Sequence, residues 1–149
     1  DYVRIALEQL GELSMWRIAM KPGKPVAFGK VGKALFIGLP GNPVSVFVTF
    51  CLFVSPFVKR MQGMDSALAQ AIPVRAGFDW PQTGKRREFV RARLEYDASG
   101  GVTAAIFRHQ GSGVLTATSW AGGLVEIPEG TTVSAGQLVD FLPFSALLA

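Results

Sequence analysis

The sequence predicts two architectures in succession: the tail of an α/β domain over residues 1–62, then a small all-β, barrel-like domain over residues 71–149, with residues 63–70 as the link. Three observations lead there. An apolar run of strand length, Ala34 to Leu39, meets a long apolar helical stretch across a tight Pro-Gly-Asn-Pro break. Beyond residue 70 the pattern changes to short strand-like pieces with no long helix, as small barrels and sandwiches show. Between the two lies a small, polar segment, Gly63 to Gln70.

At the start, Val3, Leu7 and Leu10 recur at helical spacing with Ala6 beside them, which predicts a short amphipathic helix over residues 2–10. Asp1 stands where an N-cap would, and Gly11 where a helix ends. Met15 to Met20 reads as a strand entering the loop Lys21-Pro22-Gly23-Lys24-Pro25. Val26 to Lys30 is a second strand that turns at Gly32. Ala34 to Leu39 is wholly apolar, as strands buried on both faces usually are. After Pro40-Gly41-Asn42-Pro43 comes a helix over about residues 44–61. Its apolar run is interrupted by Ser45, Thr49, Ser55 and Pro56, so it reads as a buried helix rather than a membrane span.

In the second half, Ile72 to Phe78, Arg87 to Tyr96, Gly101 to Phe107, Leu124 to Ile127 and Gln137 to Leu142 are the predicted strands. Asp97-Ala98-Ser99-Gly100 is a hairpin turn, and Pro128-Glu129-Gly130 separates the last two strands.

Composition narrows the function classes. With 49% hydrophobic residues spread along 149, a disordered tail is not expected. Cys51 is the only cysteine and His109 the only histidine, which excludes an internal disulfide and a cysteine or histidine metal cluster within the chain. Cys51 lies in the apolar run and reads as a small core residue, and a cytoplasmic location follows from this cysteine usage. Residues 1–62 hold eight Lys/Arg against three Asp/Glu, whereas residues 63–149 hold seven against eight. A basic first segment suits small anionic ligands. The negative second segment argues against nucleic acid, whose binding rests on phosphate neutralisation.

Four constellations can carry chemistry. Lys21-Pro-Gly-Lys24-Pro pins two lysines in a stiff loop, which lowers the entropy lost when they bind an anion; a solvated turn is the alternative reading. Gly38-Leu-Pro-Gly-Asn-Pro-Val-Ser45 joins a strand to a helix N-terminus, where free N–H groups attract anions. Pro43 suits the first helical position. Arg86 to Arg93 carries guanidinium groups suited to phosphate, or else forms the wet face of an antiparallel strand, with Phe89, Arg91 and Arg93 on one side. His109-Gln-Gly-Ser112-Gly precedes a short helix and could present N–H groups and the Ser112 hydroxyl to an oxyanion. Ser112 lacks the Gly-x-Ser-x-Gly setting of a hydrolase nucleophile, because position 110 is glutamine.

In this order, the four strings resemble the molybdopterin molybdenumtransferase family, the MoeA-like proteins and the gephyrin E domain, over essentially the whole chain. The resemblance implies the C-terminal part of a molybdopterin-binding (MoaB/MogA-like) α/β domain, followed by the family's C-terminal β domain. It implies an enzyme of molybdenum cofactor biosynthesis that inserts molybdate into adenylylated molybdopterin, using Mg²⁺, with release of AMP. It also implies a homodimer, an upstream adenylyltransferase and recipient molybdoenzymes as partners, and neither nucleic acid nor a membrane. By position it implies Asp1, Lys21 and Lys24 as catalytic residues, with Asp1 also on the metal. Pro40, Gly41, Asn42, Pro43, Ser45, Arg91 and Ser112 would bind substrate or molybdate. Arg17 falls where some members carry lysine. The family's earlier domains would precede residue 1, so this piece alone is expected to be inactive. The alternative is a non-catalytic scaffold of gephyrin type, for which Phe141, Leu142 and Phe144 would have to form an exposed peptide groove.

Overall fold

A computed structural model describes every residue except 1, 17, 24 and 112–114, and the backbone alone at Met15 and Trp16. Asp1, Arg17, Lys24 and Ser112, all singled out above, lie outside the described residues.

Helix α1 (Tyr2–Leu10) ends where Gly11 N–H donates to Leu7 O at 2.9 Å. None of its residues is buried; Val3 and Leu7 instead wall an apolar hollow. Strands β1 (Glu12–Trp16), β3 (Val26–Val31) and β4 (Ala34–Gly38) make an antiparallel sheet in the order β1-β3-β4. Between them, β2 (Met20–Lys21) belongs elsewhere. The strand expected over Met15 to Met20 is therefore two strands. Its first part ends at Trp16, and Met20, only 3% exposed, crosses to another sheet and another core. The expectation for β4 also fails in one respect: Ala34 and Leu35 are exposed. An edge strand has one neighbour, and apolar composition by itself supplies no covering layer.

A continuous helical stretch follows, made of α2 (Pro43–Thr49), a π-helical turn (Phe50–Val54) and α3 (Ser55–Met61). Pro43 occupies the first turn, where its missing N–H costs nothing. By length and composition the stretch could cross a membrane, with mean hydropathy 1.6. Its contacts are those of a bridging helix. Phe57 packs edge-on to Phe28 of the three-stranded sheet, at 5.8 Å, and Phe47 edge-on to Phe144 on the other side, at 5.0 Å. Ser55 Oγ and Lys59 Nζ both donate to Leu147 O, at 2.7 and 3.1 Å. It is buried along one face only, with Phe50, Phe53, Val58 and Met61 exposed.

The second half is a closed barrel. Strands β5 (Ile72–Ala76), β6 (Arg87–Tyr96), β7 (Val102–Ile106), β8 (Gly123–Ile127) and β9 (Leu138–Pro143) run β6-β7-β5-β9-β8 and return to β6, so no barrel edge is left open. Helices α4 (Thr116–Trp120) and α5 (Phe144–Leu148) flank it. Inside lie Val90, Ala92, Ala104, Val125 and Phe141. A second core, with Met20, Val48, Cys51, Leu124 and Leu142, forms where the helical stretch lies on the barrel wall. Phe141 and Leu142 are buried and Phe144 packs on that core, so these three form no exposed groove.

Strand β6 organises the molecule. It pairs with β8 along Glu88–Ala92, with β7 along Ala92–Tyr96, and with β2 in parallel at Arg87 and Glu88. Its inner face carries Val90 and Ala92. Its outer face carries Phe89 under the helix, Arg91 under the loop of residues 107–111, and Arg93, whose guanidinium lies 4.4 Å from the Trp120 ring centroid. The three outer residues do share a face, which is covered at Phe89 and Arg91 and open to solvent at Arg93.

Candidate functional site

A cleft of about 520 Å³ opens between the two halves, lined by Lys21, Pro22, Gly23, Ser45, Arg86, Gln110 and Gly111. Three separate segments build it. The first leaves β2 as a loop in which the Lys21–Pro22 bond is cis and Gly23 has φ +134°. Only glycine suits that position: a Cβ there would lie in a disfavoured backbone region and within 3.1 Å of both Met20 Cε and Thr49 Oγ1. The loop thus rests directly on the helix. Thr49 is fully buried below it, and its hydroxyl finds no hydrogen-bond partner among the described residues.

The second segment is the first turn of α2. Asn42 is its N-cap, and its Oδ1 accepts from Val44 N–H at 3.1 Å and Ser45 N–H at 3.2 Å. This modifies the expectation for the Pro-Gly-Asn-Pro string, because two of the N–H groups pictured as open to an anion are engaged by the protein's own side chain. Ser45, buried, reaches the cleft. Pro40 and Gly41 do not; they line the apolar hollow of about 400 Å³ on the α1 side, with Val3, Leu7 and Phe36. Pro43 is exposed at the helix start.

The third segment is the barrel's contribution. Arg86 lines the cleft and donates from Nη1 to Met20 O at 3.3 Å, which ties the start of β6 to β2. Behind Lys21 stands Glu88: Nζ to Oε2 is 3.2 Å, with the lysine half-exposed and the carboxylate mostly covered. Gln110 and Gly111 close the opposite side.

Arg91 is not among the lining residues. It is 1% exposed, and its Nη2 donates to Gly111 O at 3.1 Å from behind the loop. Its Nε has no hydrogen-bond partner, and no carboxylate pairs with it among the described residues. Burial lowers its pKa below the ordinary guanidinium range, since desolvation penalises the charged form. Direct anion contact, implied for Arg91 by the resemblance, is not its placement here; it underlies the loop that makes the wall.

Lys21 and Arg86 make the cleft cationic, and among the described residues no carboxylate lines it. Such a site stabilises a tetrahedral dianion or a phosphate. It is a poor place for Mg²⁺, which takes oxygen ligands, and no three His, Cys, Asp or Glu residues gather anywhere among the described residues. The sequence motifs located Lys21 and Ser45. The other two strings contain Arg86, Glu88 and Gln110, but the site residues they supply are Arg91 and Ser112; that Arg86 and Gln110 line the cleft depends on β2 crossing to β6 and on the loop folding back over Arg91.

Comparison with known proteins matches a family model to each half of the chain. Residues 1–60 match the family model described as "Probable molybdopterin binding domain". Residues 73–144 match "MoeA C-terminal region (domain IV)". The chain belongs to the molybdopterin molybdenumtransferase (MoeA) family. It is 35% identical to the molybdopterin molybdenumtransferase of Haemophilus influenzae over 99% of this chain and 37% of that protein. It is 36% identical to the molybdenum cofactor synthesis protein cinnamon of Drosophila melanogaster, over 89% of this chain and 22% of that protein. Among solved structures, a molybdopterin biosynthesis MoeA protein of Pyrococcus horikoshii superimposes with a TM-score of 0.72 at 31% identity, covering 92% of this chain and 33% of that one. The chain therefore spans little more than a third of the length of its MoeA relatives. In MoeA terms, the cleft lies where the molybdopterin-binding segment meets the C-terminal region.

Proposed function

We propose that this chain supplies one part of the substrate site of a molybdopterin molybdenumtransferase, which inserts molybdate into adenylylated molybdopterin and releases AMP. The observation that carries the reading is the convergence of the Lys21–Gly23 loop, Ser45, Arg86 and the Gln110–Gly111 loop on one cationic cleft. Both substrates are anions. Lys21 and Arg86 would bind molybdate or the substrate phosphates and stabilise charge that develops on phosphate as AMP departs. Ser45 can offer its hydroxyl. Lys24 and Ser112 adjoin the lining residues Gly23 and Gly111 in sequence, and we assign them to the same anion site.

Asp1 is the chain's candidate ligand for Mg²⁺. The remaining carboxylates that Mg²⁺ needs are assigned to the part of the enzyme not present in this chain, and the residues described here act on the anions alone. Pro40 and Gly41 would shape the neighbouring apolar hollow, and Asn42 and Pro43 would hold the helix start in place. Arg91 would act through Gly111. The same reading divides the chain into residues 1–62, a link over 63–70 and residues 71–149. It places the protein in the cytoplasm as a homodimer, served by an adenylyltransferase and supplying molybdoenzymes.

The test is AMP release from adenylylated molybdopterin with molybdate and Mg²⁺, by this chain and by a version extended N-terminally to the length of its relatives. Release by the extended protein alone is the expected result. No release by the extended, folded protein would overturn the enzyme reading.

A further inference from the structure

Strand β6 has two partners along one of its edges, and they do not meet. β2 pairs at Arg87 and Glu88, and β7 only from Ala92 onward, so between them no strand is paired with β6 on that edge. The gap at Arg91 is closed by the chain leaving β7, whose Phe107 N–H donates to Arg91 O at 3.0 Å, and by a side chain. Arg91 N–H donates to Gln110 Oε1 at 2.9 Å, and Gln110 Nε2 donates to Arg91 O at 3.0 Å and to Phe107 O at 2.9 Å. The amide is the partner of the Arg91 N–H and shares the Arg91 carbonyl with Phe107 N–H, which ties the returning chain to β6. Arg91 then grips the same loop a second time, through Nη2 to Gly111 O.

We infer that Gln110 is a positioning residue of the anion cleft, setting the Gly111 wall at a fixed place along β6 opposite Lys21. This inference rests on the functional reading above. The donor count decides between positioning and binding. Both Nε2 hydrogens are committed to carbonyls, so Gln110 lines the cleft with no side-chain N–H left for an anion. The spacing explains why it matters. Lys21 is in register with Glu88, and Gln110 with Arg91, three residues further along the same strand, or about 10 Å at the usual rise. One strand thus measures out the two walls.

Only an amide of this length accepts one hydrogen bond and donates two. Gln110→Met keeps the length and loses all three bonds; Gln110→Glu keeps the acceptor and loses the donors. In the extended protein, each variant is expected to raise the KM for molybdate roughly tenfold while kcat stays within about twofold, since the wall is displaced but the reacting groups are intact. A folded variant with the wild-type KM overturns the inference, and a lower melting temperature without a KM change would mark Gln110 as structural only. The wild-type protein gives an independent reading: molybdate should slow hydrogen exchange at the Arg91 amide at least threefold, and unchanged exchange at saturating molybdate would also overturn it. Absence of AMP release by the wild type would instead sink the enzyme reading, and the exchange measurement would still decide the role of Gln110.

Discussion

Lys21 Nζ lies 3.2 Å from Glu88 Oε2, and the pair joins the basic loop of one half of the molecule to the central strand of the other. The lysine is half-exposed, so the pair is worth little to folding, about 0.2–1 kcal/mol. Its consequence is electrostatic: a carboxylate behind the cleft offsets part of the charge in front. Glu88→Gln should therefore tighten molybdate binding by about twofold to fivefold, an effect that shrinks with added salt. Lys21→Ala should weaken binding by about tenfold, the range of one charge-assisted contact. Isothermal titration at two ionic strengths checks both; weaker binding by Glu88→Gln would mean that the carboxylate orients the lysine rather than opposing the anion.

Gly23 sets how closely that loop approaches the helix. Gly23→Ala forces a side chain into φ +134° and against Thr49 and Met20, at an expected cost of about 1–3 kcal/mol. Urea unfolding measures the loss. Molybdate affinity should fall with it, because the loop must lift off the helix.

Arg91 distinguishes a buried charge from a buried side chain. Arg91→Ala should destabilise by about 3–5 kcal/mol, through the cavity it leaves and the loss of its bond to Gly111. Arg91→Met fills most of the space and removes the desolvation cost of an unpaired guanidinium, so it should cost clearly less. Denaturation midpoints of the two variants would settle the order, and equal losses would contradict this account.

Cys51 predicts an alkaline loss of stability. Burial pushes its thiol from 9.0 up to about 11, so the folded state holds its proton where the unfolded chain releases it. Its contribution is complete below about pH 9 and declines as pH rises toward 11, by at most about 2–3 kcal/mol. Urea unfolding at pH 8 and pH 10.5 should show the wild type losing more stability than Cys51→Ala. A parallel decline in both proteins would assign the effect to other groups.

Asn42→Ala should cost about 1 kcal/mol, the usual penalty for removing an N-cap, and Asn42→Asp should cost little because the acceptor oxygen remains. Thermal melts of the two variants decide it.

The sequence alone determined what is local. The helix Tyr2–Leu10, the strand Arg87–Tyr96, the hairpin turn at Asp97 to Gly100 and the helical stretch after Pro43 are legible because periodicity, caps and turn residues act over a few neighbours. The motif strings likewise pointed to Lys21 and to the loop ending at Gly111. Tertiary structure decided the rest. It sent Met20–Lys21 across to β6, left Ala34 and Leu35 uncovered on an edge strand, sank Arg91 beneath a loop, and turned the Asn42 side chain onto its own helix. Glu88 and Gln110 took their places only once β6 had paired with both β2 and β7. The physical reason is distance along the chain. Lys21 and Glu88 meet, and Ser45 and Gln110 reach one cleft, because two hydrophobic cores close far from these residues, and no local pattern encodes a placement whose driving force is the burial of other side chains.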